Sequence, residues 1–227
     1  MTSLRVIAIS LSCAVLTSPL LYAGDLSRYR DFRLGADIPT IAGLARMDTS
    51  DAKVMHKRPA LIQELDWHPQ LVGPSTEVGS VDGVVFSFYN GELYRLVVSY
   101  DRYKTEGLTA EDLIEGISAT YGPATRDAAK IVVSSVYEDN ETLDVLARWE
   151  DAQYSFSLVR FSRQPSFTLV AMSKRLDALA RTAITEATRL DVQEAPQREI
   201  ELQKKNEDES RQQQEKARLA NKPNFRP

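Results

Sequence analysis

His56 and His68 are the chain's two histidines, and they flank Glu64 and Asp66. Imidazole and carboxylate together are a zinc-binding chemistry. The spacing argues against such a site, because Pro59 and an alternating stretch lie between the histidines, and no His-x-x-x-His pair could share a helix face. Glu150-Asp151 and Asp66 could supply paired carboxylates for glycoside hydrolysis, but a chain with 32 acids offers many such pairs. No Gly-x-Ser-x-Gly, His-Glu-x-x-His, P-loop or EF-hand pattern occurs. The residues mark no catalytic group, no metal ligand and no cofactor site. The expectation is a protein that is not an enzyme.

A different chemistry is offered by Tyr100-Asp101-Arg102-Tyr103-Lys104, where cations alternate with aromatic rings. Such interleaving suits a nucleic acid or a sugar face. Ion pairs at a strand exit would explain it equally well. Tyr100, Arg102, Tyr103, Lys104 and the more distant Trp149 form the candidate binding surface. The chain carries a net charge of −4 and shows no basic stripe, so nothing in its charge suggests a phosphate-backbone binder.

The elements that must position these residues follow from periodicity. Asp37 is a suitable N-cap and Pro39 suits a first helical turn, so a short helix is predicted from 38 to 46. Val54-Met55 begins a candidate strand, and Leu61 to Trp67 alternates as a second one. Val84–Tyr100 holds two apolar runs around Asn90-Gly91, a hairpin signal. Placing Val84, Phe86, Phe88, Tyr94, Leu96, Val98 and Tyr100 on one face requires a three-residue loop, Tyr89-Asn90-Gly91, with Phe86 opposite Tyr94. Thr109 and Asp112 open a second helix, and Gly122-Pro123 closes it. Strands are then predicted at 131–137, 143–149, 153–160 and 167–173, with Asp139-Asn140-Glu141 and Glu150-Asp151-Ala152 as turns. Asn140-Glu141-Thr142 is also a glycosylation sequon, of consequence only in a eukaryotic host.

From Lys174 the period becomes helical, with Leu176, Leu179, Ala180, Ala183, Ile184, Ala187 and Leu190 as an amphipathic stripe. Pro196 is expected to interrupt it. The polar segment beyond, with favourable pairs Glu201–Lys205 and Glu207–Arg211, reads as a solvated helix or a disordered tail. A helix precedes a group of strands at 38–100 and again at 110–173, so a tandem repeat is one reading of the whole.

Residues 1–23 read as a cleavable secretory signal: Arg5, the apolar run Val6–Leu16, a break at Thr17–Pro19, and Ala23 before the cut. Acylation at Cys13 is the alternative, with Ser10-Leu11-Ser12 fitting a lipidation box poorly. Cleavage after Ala23 would remove the chain's only cysteine, and with it disulfides and thiolate chemistry. It would also remove Arg5, making the balance one unit more negative.

Phe32-Arg33-Leu34-Gly35 before the first helix, and Ile117-Ser118-Ala119-Thr120-Tyr121-Gly122-Pro123 closing the second, resemble the β-lactamase-inhibitor-like class. That class includes small outer-membrane assembly lipoproteins. The likeness covers about residues 30–173 and extends to uncharacterised secreted bacterial proteins. Two departures from that class are the poor lipidation box and the absence of the inhibitor family's disulfides. What the resemblance implies is an exported protein-binding scaffold.

The expected fold is α+β. It comprises a signal at 1–23, an antiparallel sheet with two short helices at 24–175, an amphipathic helix at 176–195 and a polar tail at 196–227. The expected function is binding of another protein or an envelope component, in the periplasm or outside the cell, with another exported or envelope protein as the expected partner, no membrane span in the mature chain and no nucleic acid partner. A hydrolase acting on an envelope polymer and a periplasmic spacer are the alternatives.

Overall fold

The computed structural model describes residues 24–69, 79–125, 130–135, 138–160, 166–224 and 226. The predicted signal segment and Cys13 lie outside the described residues. Among the described residues no helix is long and apolar enough to cross a membrane.

The fold is α+β, with antiparallel strands and a long C-terminal helix. A small hairpin, β1 (Arg28–Tyr29) and β2 (Phe32–Arg33), begins it. Helix α1 (Ile38–Ala45) follows, then a 3-10 turn at Thr49–Asp51 and strands β3 (Lys53–His56), β4 (Ile62–Trp67), β5 (Val81–Tyr89) and β6 (Glu92–Tyr100). Helix α2 (Ala110–Tyr121) leads to β7 (Lys130–Ser135), β8 (Glu138–Glu150), β9 (Tyr154–Arg160) and β10 (Phe167–Ser173). Helix α3 (Lys174–Asn221) ends it.

One sheet holds eight strands in the order β3-β4-β5-β6-β10-β9-β8-β7. Each half is a helix followed by a four-strand meander, and the two last strands meet at the centre. Val97 lies opposite Val170 in the middle of that antiparallel pair. The halves are therefore related by an approximate two-fold axis through the β6–β10 seam. The tandem arrangement hinted at by the sequence is present as architecture.

Capping defines both short helices. Asp37 Oδ1 accepts from the Thr40 N–H at 3.0 Å. At α2, Asp112 N–H donates to Thr109 Oγ1 at 3.2 Å, and Thr109 N–H donates to Asp112 Oδ2 at 2.8 Å. Each reciprocal bond satisfies a backbone donor that the first helical turn would otherwise leave bare. Both helices feed one core. Ile41 and Ala45 from α1 and Leu113 from α2 join Leu65, Phe86, Leu96, Phe156, Leu158 and Leu169 from one face of the sheet. Phe32 lies against Phe86 at 4.7 Å and Trp67 at 5.4 Å between ring centroids, so the lead-in hairpin plugs the first half.

The central hairpin departs from the predicted register. Its loop has two residues, with Tyr89 opposite Glu92 and Phe88 opposite Leu93. Asn90 (φ 49°) and Gly91 (φ 85°) both have positive φ, as a primed two-residue turn requires. The extra residue is Tyr94, bulged out of the ladder, after which Ser87 faces Arg95 and Phe86 faces Leu96. The bulge restores the expected inward set except for Tyr94, which packs with Ile62, Leu176 and Ala180 beneath α3. The predicted turn at Asp139-Asn140-Glu141 is also corrected, because those residues belong to β8 and Ser135 already faces Glu138.

Helix α3 buries Leu176, Asp177, Ala180, Ala183 and Ala187 and runs unbroken through Pro196. The predicted interruption does not occur. Around the proline, Arg198 Nη2 reaches back to the Asp191 carbonyl at 2.9 Å and to Asp191 Oδ1 at 3.1 Å. Solvent also surrounds this turn and can take up the carbonyl that proline leaves unpaired. From Ala195 to Pro223 every residue is exposed. Its close ion pairs are Lys205–Glu209 (3.9 Å), Asp208–Arg211 (3.7 Å) and Glu215–Arg218 (2.6 Å), rather than the pairs expected from spacing.

Candidate functional site

The β6 strand exits into residues 101–109, and a short hydrogen-bond network shapes that loop. Asp101 Oδ1 accepts from the N–H groups of Tyr103 (2.8 Å) and Lys104 (3.2 Å). Thr105, buried, donates its N–H (3.0 Å) and its hydroxyl (2.8 Å) to the Asp101 carbonyl. Lys104 Nζ is tied to the Gly79 carbonyl at 2.8 Å. Gly107 has φ 81°, a left-handed turn that glycine takes without strain. The result is a rigid base carrying exposed Arg102 and Tyr103, with Tyr103 71% exposed.

Arg102, Tyr103, Thr105, Glu106, Gly107 and Leu108 line an open cleft of about 350 Å³ together with Arg160 and Phe167. Arg102 lies over the Tyr103 ring at 4.6 Å, and Arg160 over the Phe167 ring at 5.4 Å. Two guanidinium–aromatic stacks from separate elements thus border one opening. No ion pair to Arg102, Arg160 or Glu106 forms among the described residues.

The candidate residues from the sequence divide here. Arg102, Tyr103 and Lys104 share the loop, but only the first two line the cleft. Tyr100 turns inward, where its hydroxyl meets that of Tyr29. Burial pushes the Tyr100 phenol well above its ordinary value, and that of Tyr29 upward too. Tyr121, whose hydroxyl donates to the Arg28 carbonyl at 3.4 Å, is pushed up to about 12 by the same burial. These tyrosines are structural. Trp149 does not belong to the surface either: it is 2% exposed. Its indole Nε1 donates to the Gly122 carbonyl (2.9 Å) and to Ser118 Oγ (3.3 Å), locking the end of α2 to β8. Alternation along β8 puts Ala147 and Trp149 on the core face.

Arg160, Phe167 and Leu108 escape sequence reasoning. Arg160 and Phe167 face each other where β9 ends and β10 begins. They reach the β6 exit only because β10 pairs with β6, a contact across about 70 residues of chain that no local pattern announces.

Among the described residues no three metal-binding side chains come together. His68 Nε2 is 3.3 Å from Asp66 Oδ1, and Glu64, two residues earlier on the same face of β4, accepts from Ser87 Oγ at 3.2 Å. No family model, curated protein or solved structure matches the chain.

Proposed function

We propose that the chain is an exported, non-enzymatic binding module, as the β-lactamase-inhibitor-like resemblance implies, and that the 101–108 loop with Arg160 and Phe167 is its working surface. One observation carries this reading: two arginine–aromatic stacks from separate elements flank an open cleft. Arginine and tyrosine are the residue types that concentrate binding energy in protein interfaces. The loop beneath them is held by its own hydrogen bonds, so little ordering entropy remains to be lost on binding. The partner in this reading is another exported or envelope protein. Cross-linking in an envelope extract, with the full chain and with Tyr103→Ala and Leu108→Asp variants, tests it. Loss of a specific adduct in the variants, with unchanged melting, is expected; an adduct indifferent to both variants refutes the surface.

A spacer role is favoured by a separate observation, the exposed stretch of α3 beyond Glu194. At about 1.5 Å per residue a helical segment of that kind spans about 40 Å. Deleting it distinguishes the two: a module keeps its adduct, a spacer loses its role.

A further inference from the structure

We propose that the cleft between the 101–108 loop and the β9–β10 end recognises a carboxylate-rich peptide segment of a partner protein; this rests on the binding-module reading above and adds the ligand's chemistry. The lining of the opening differs in charge from the chain as a whole. The chain is net negative, at −4. The lining holds two cations, Arg102 and Arg160, and one acid, Glu106, while Lys104 and Asp101 on the adjoining turn offset each other and Asp144 stands opposite Arg160 across β8–β9. Two guanidinium groups against one carboxylate in the lining favour a short anionic segment, and the acidic remainder of the surface disfavours extended polyanions.

Stacking matters as much as charge. A guanidinium laid on an aromatic ring has its plane held and its N–H edge left for a partner. That edge matches a carboxylate in two parallel hydrogen bonds. Arg102 and Arg160 are both presented in this way, from different elements. The same lining holds Leu108, 45% exposed, and the Phe167 ring. An apolar floor between two carboxylate forks fits a peptide in which acidic side chains flank an apolar one. A nucleic acid strand would want a longer track of cations and stacked rings than these two.

Fluorescence anisotropy with the full chain tests this. The probe is a labelled eight-residue peptide alternating Glu and Phe; its controls are the same peptide with Gln for Glu, and an eight-nucleotide oligo-dT. The expected result is saturable binding of the Glu peptide, at least about tenfold weaker binding of the Gln peptide, and weakening as salt shortens the reach of charge. Arg102→Gln and Arg160→Gln should each weaken the Glu peptide by about fivefold to tenfold, with melting unchanged. Arg102→Lys should recover only part of the loss, since it keeps the charge without the fork. Equal binding of Glu and Gln peptides, indifference to both arginine variants, tighter binding of oligo-dT at the same residues, or no binding of the Glu peptide would overturn the assignment. A cross-linked adduct lost in Tyr103→Ala but kept in both arginine variants would refute the carboxylate and leave the binding surface standing. An adduct indifferent to all of them would refute the surface itself.

Discussion

Trp67 and Trp149 occupy the same place in the two halves of the sheet. Trp67 faces Val84, which faces Val98, which meets Leu169 across the seam. Trp149 faces Phe156, which faces Ala171, which meets Leu96 from the other side. Their surroundings differ, however. Trp149 is fully enclosed and hydrogen-bonded to the end of α2, whereas Trp67 is half-buried against Phe32 and Phe86. Trp149→Ala is therefore expected to cost about 3–5 kcal/mol, and Trp67→Ala clearly less. Urea midpoints of the two variants check the order; an equal loss would mean that enclosure does not separate the two sites.

The ionisable groups under α3 give a pH dependence. Glu64 is 8% exposed, and burial raises its pKa; the Arg95 charge and the Ser87 hydroxyl oppose the shift, Asp66 adds to it, and Lys53 opposes it. Asp177, bonded to Arg181 at 2.6 Å, faces the same region from α3. A carboxyl whose folded pKa is raised binds its proton more tightly when folded. Its contribution is thus fully present below the ordinary glutamate value of 4.5 and is lost as pH rises through the folded value. Glu64→Gln should remove that loss, flattening the stability profile above the ordinary glutamate value of 4.5 and raising the neutral melting temperature. Chemical denaturation across that range measures it, and a steeper profile in the variant would contradict the sign.

The turn of the central hairpin is held by more than conformation. Asn90 N–H donates to the Leu61 carbonyl at 2.8 Å, and the Leu61 N–H donates to Asn90 Oδ1 at 2.9 Å. Asn90→Ala loses the second bond, at a cost of about 1 kcal/mol. Gly91→Val meets no neighbouring atom, so its expected loss of more than about 1 kcal/mol comes from positive φ alone. Thermal melts of both variants provide the check.

Truncation separates the two parts of α3. Removing residues 197–227 takes away no buried side chain among the described residues, and the melting temperature is expected to stay within a few degrees. The last link to the sheet domain is the Arg58–Glu194 pair, a surface contact of small worth. Truncation at Lys174 instead uncovers Tyr94, Ile62 and the polar groups around Glu64, and should destabilise the fold strongly.

What was legible in the sequence was local. The caps of α2 depend on residues three apart, and Asn-Gly announces its turn directly. The bulge at Tyr94 was not legible, because its outward placement is rewarded only once α3 covers that face. Trp149 looked like a surface aromatic beside Arg148, Glu150 and Asp151, although strand alternation alone sends it inward. Half of the candidate cleft depends on the β6–β10 seam, and strand pairing over that separation leaves no mark in either segment.

That seam also says what kind of object the sheet is. Corresponding strands lie side by side, antiparallel, with Val97 and Val170 at the midpoint. Two copies of a single helix-and-meander unit, turned about a dyad normal to the sheet, would join in the same manner, each presenting the same edge to the other. The chain therefore encloses within one molecule the geometry of an isologous homodimer. The connection through α2 makes that association concentration-independent, and it leaves the two outer strands, β3 and β7, as counterparts at opposite margins.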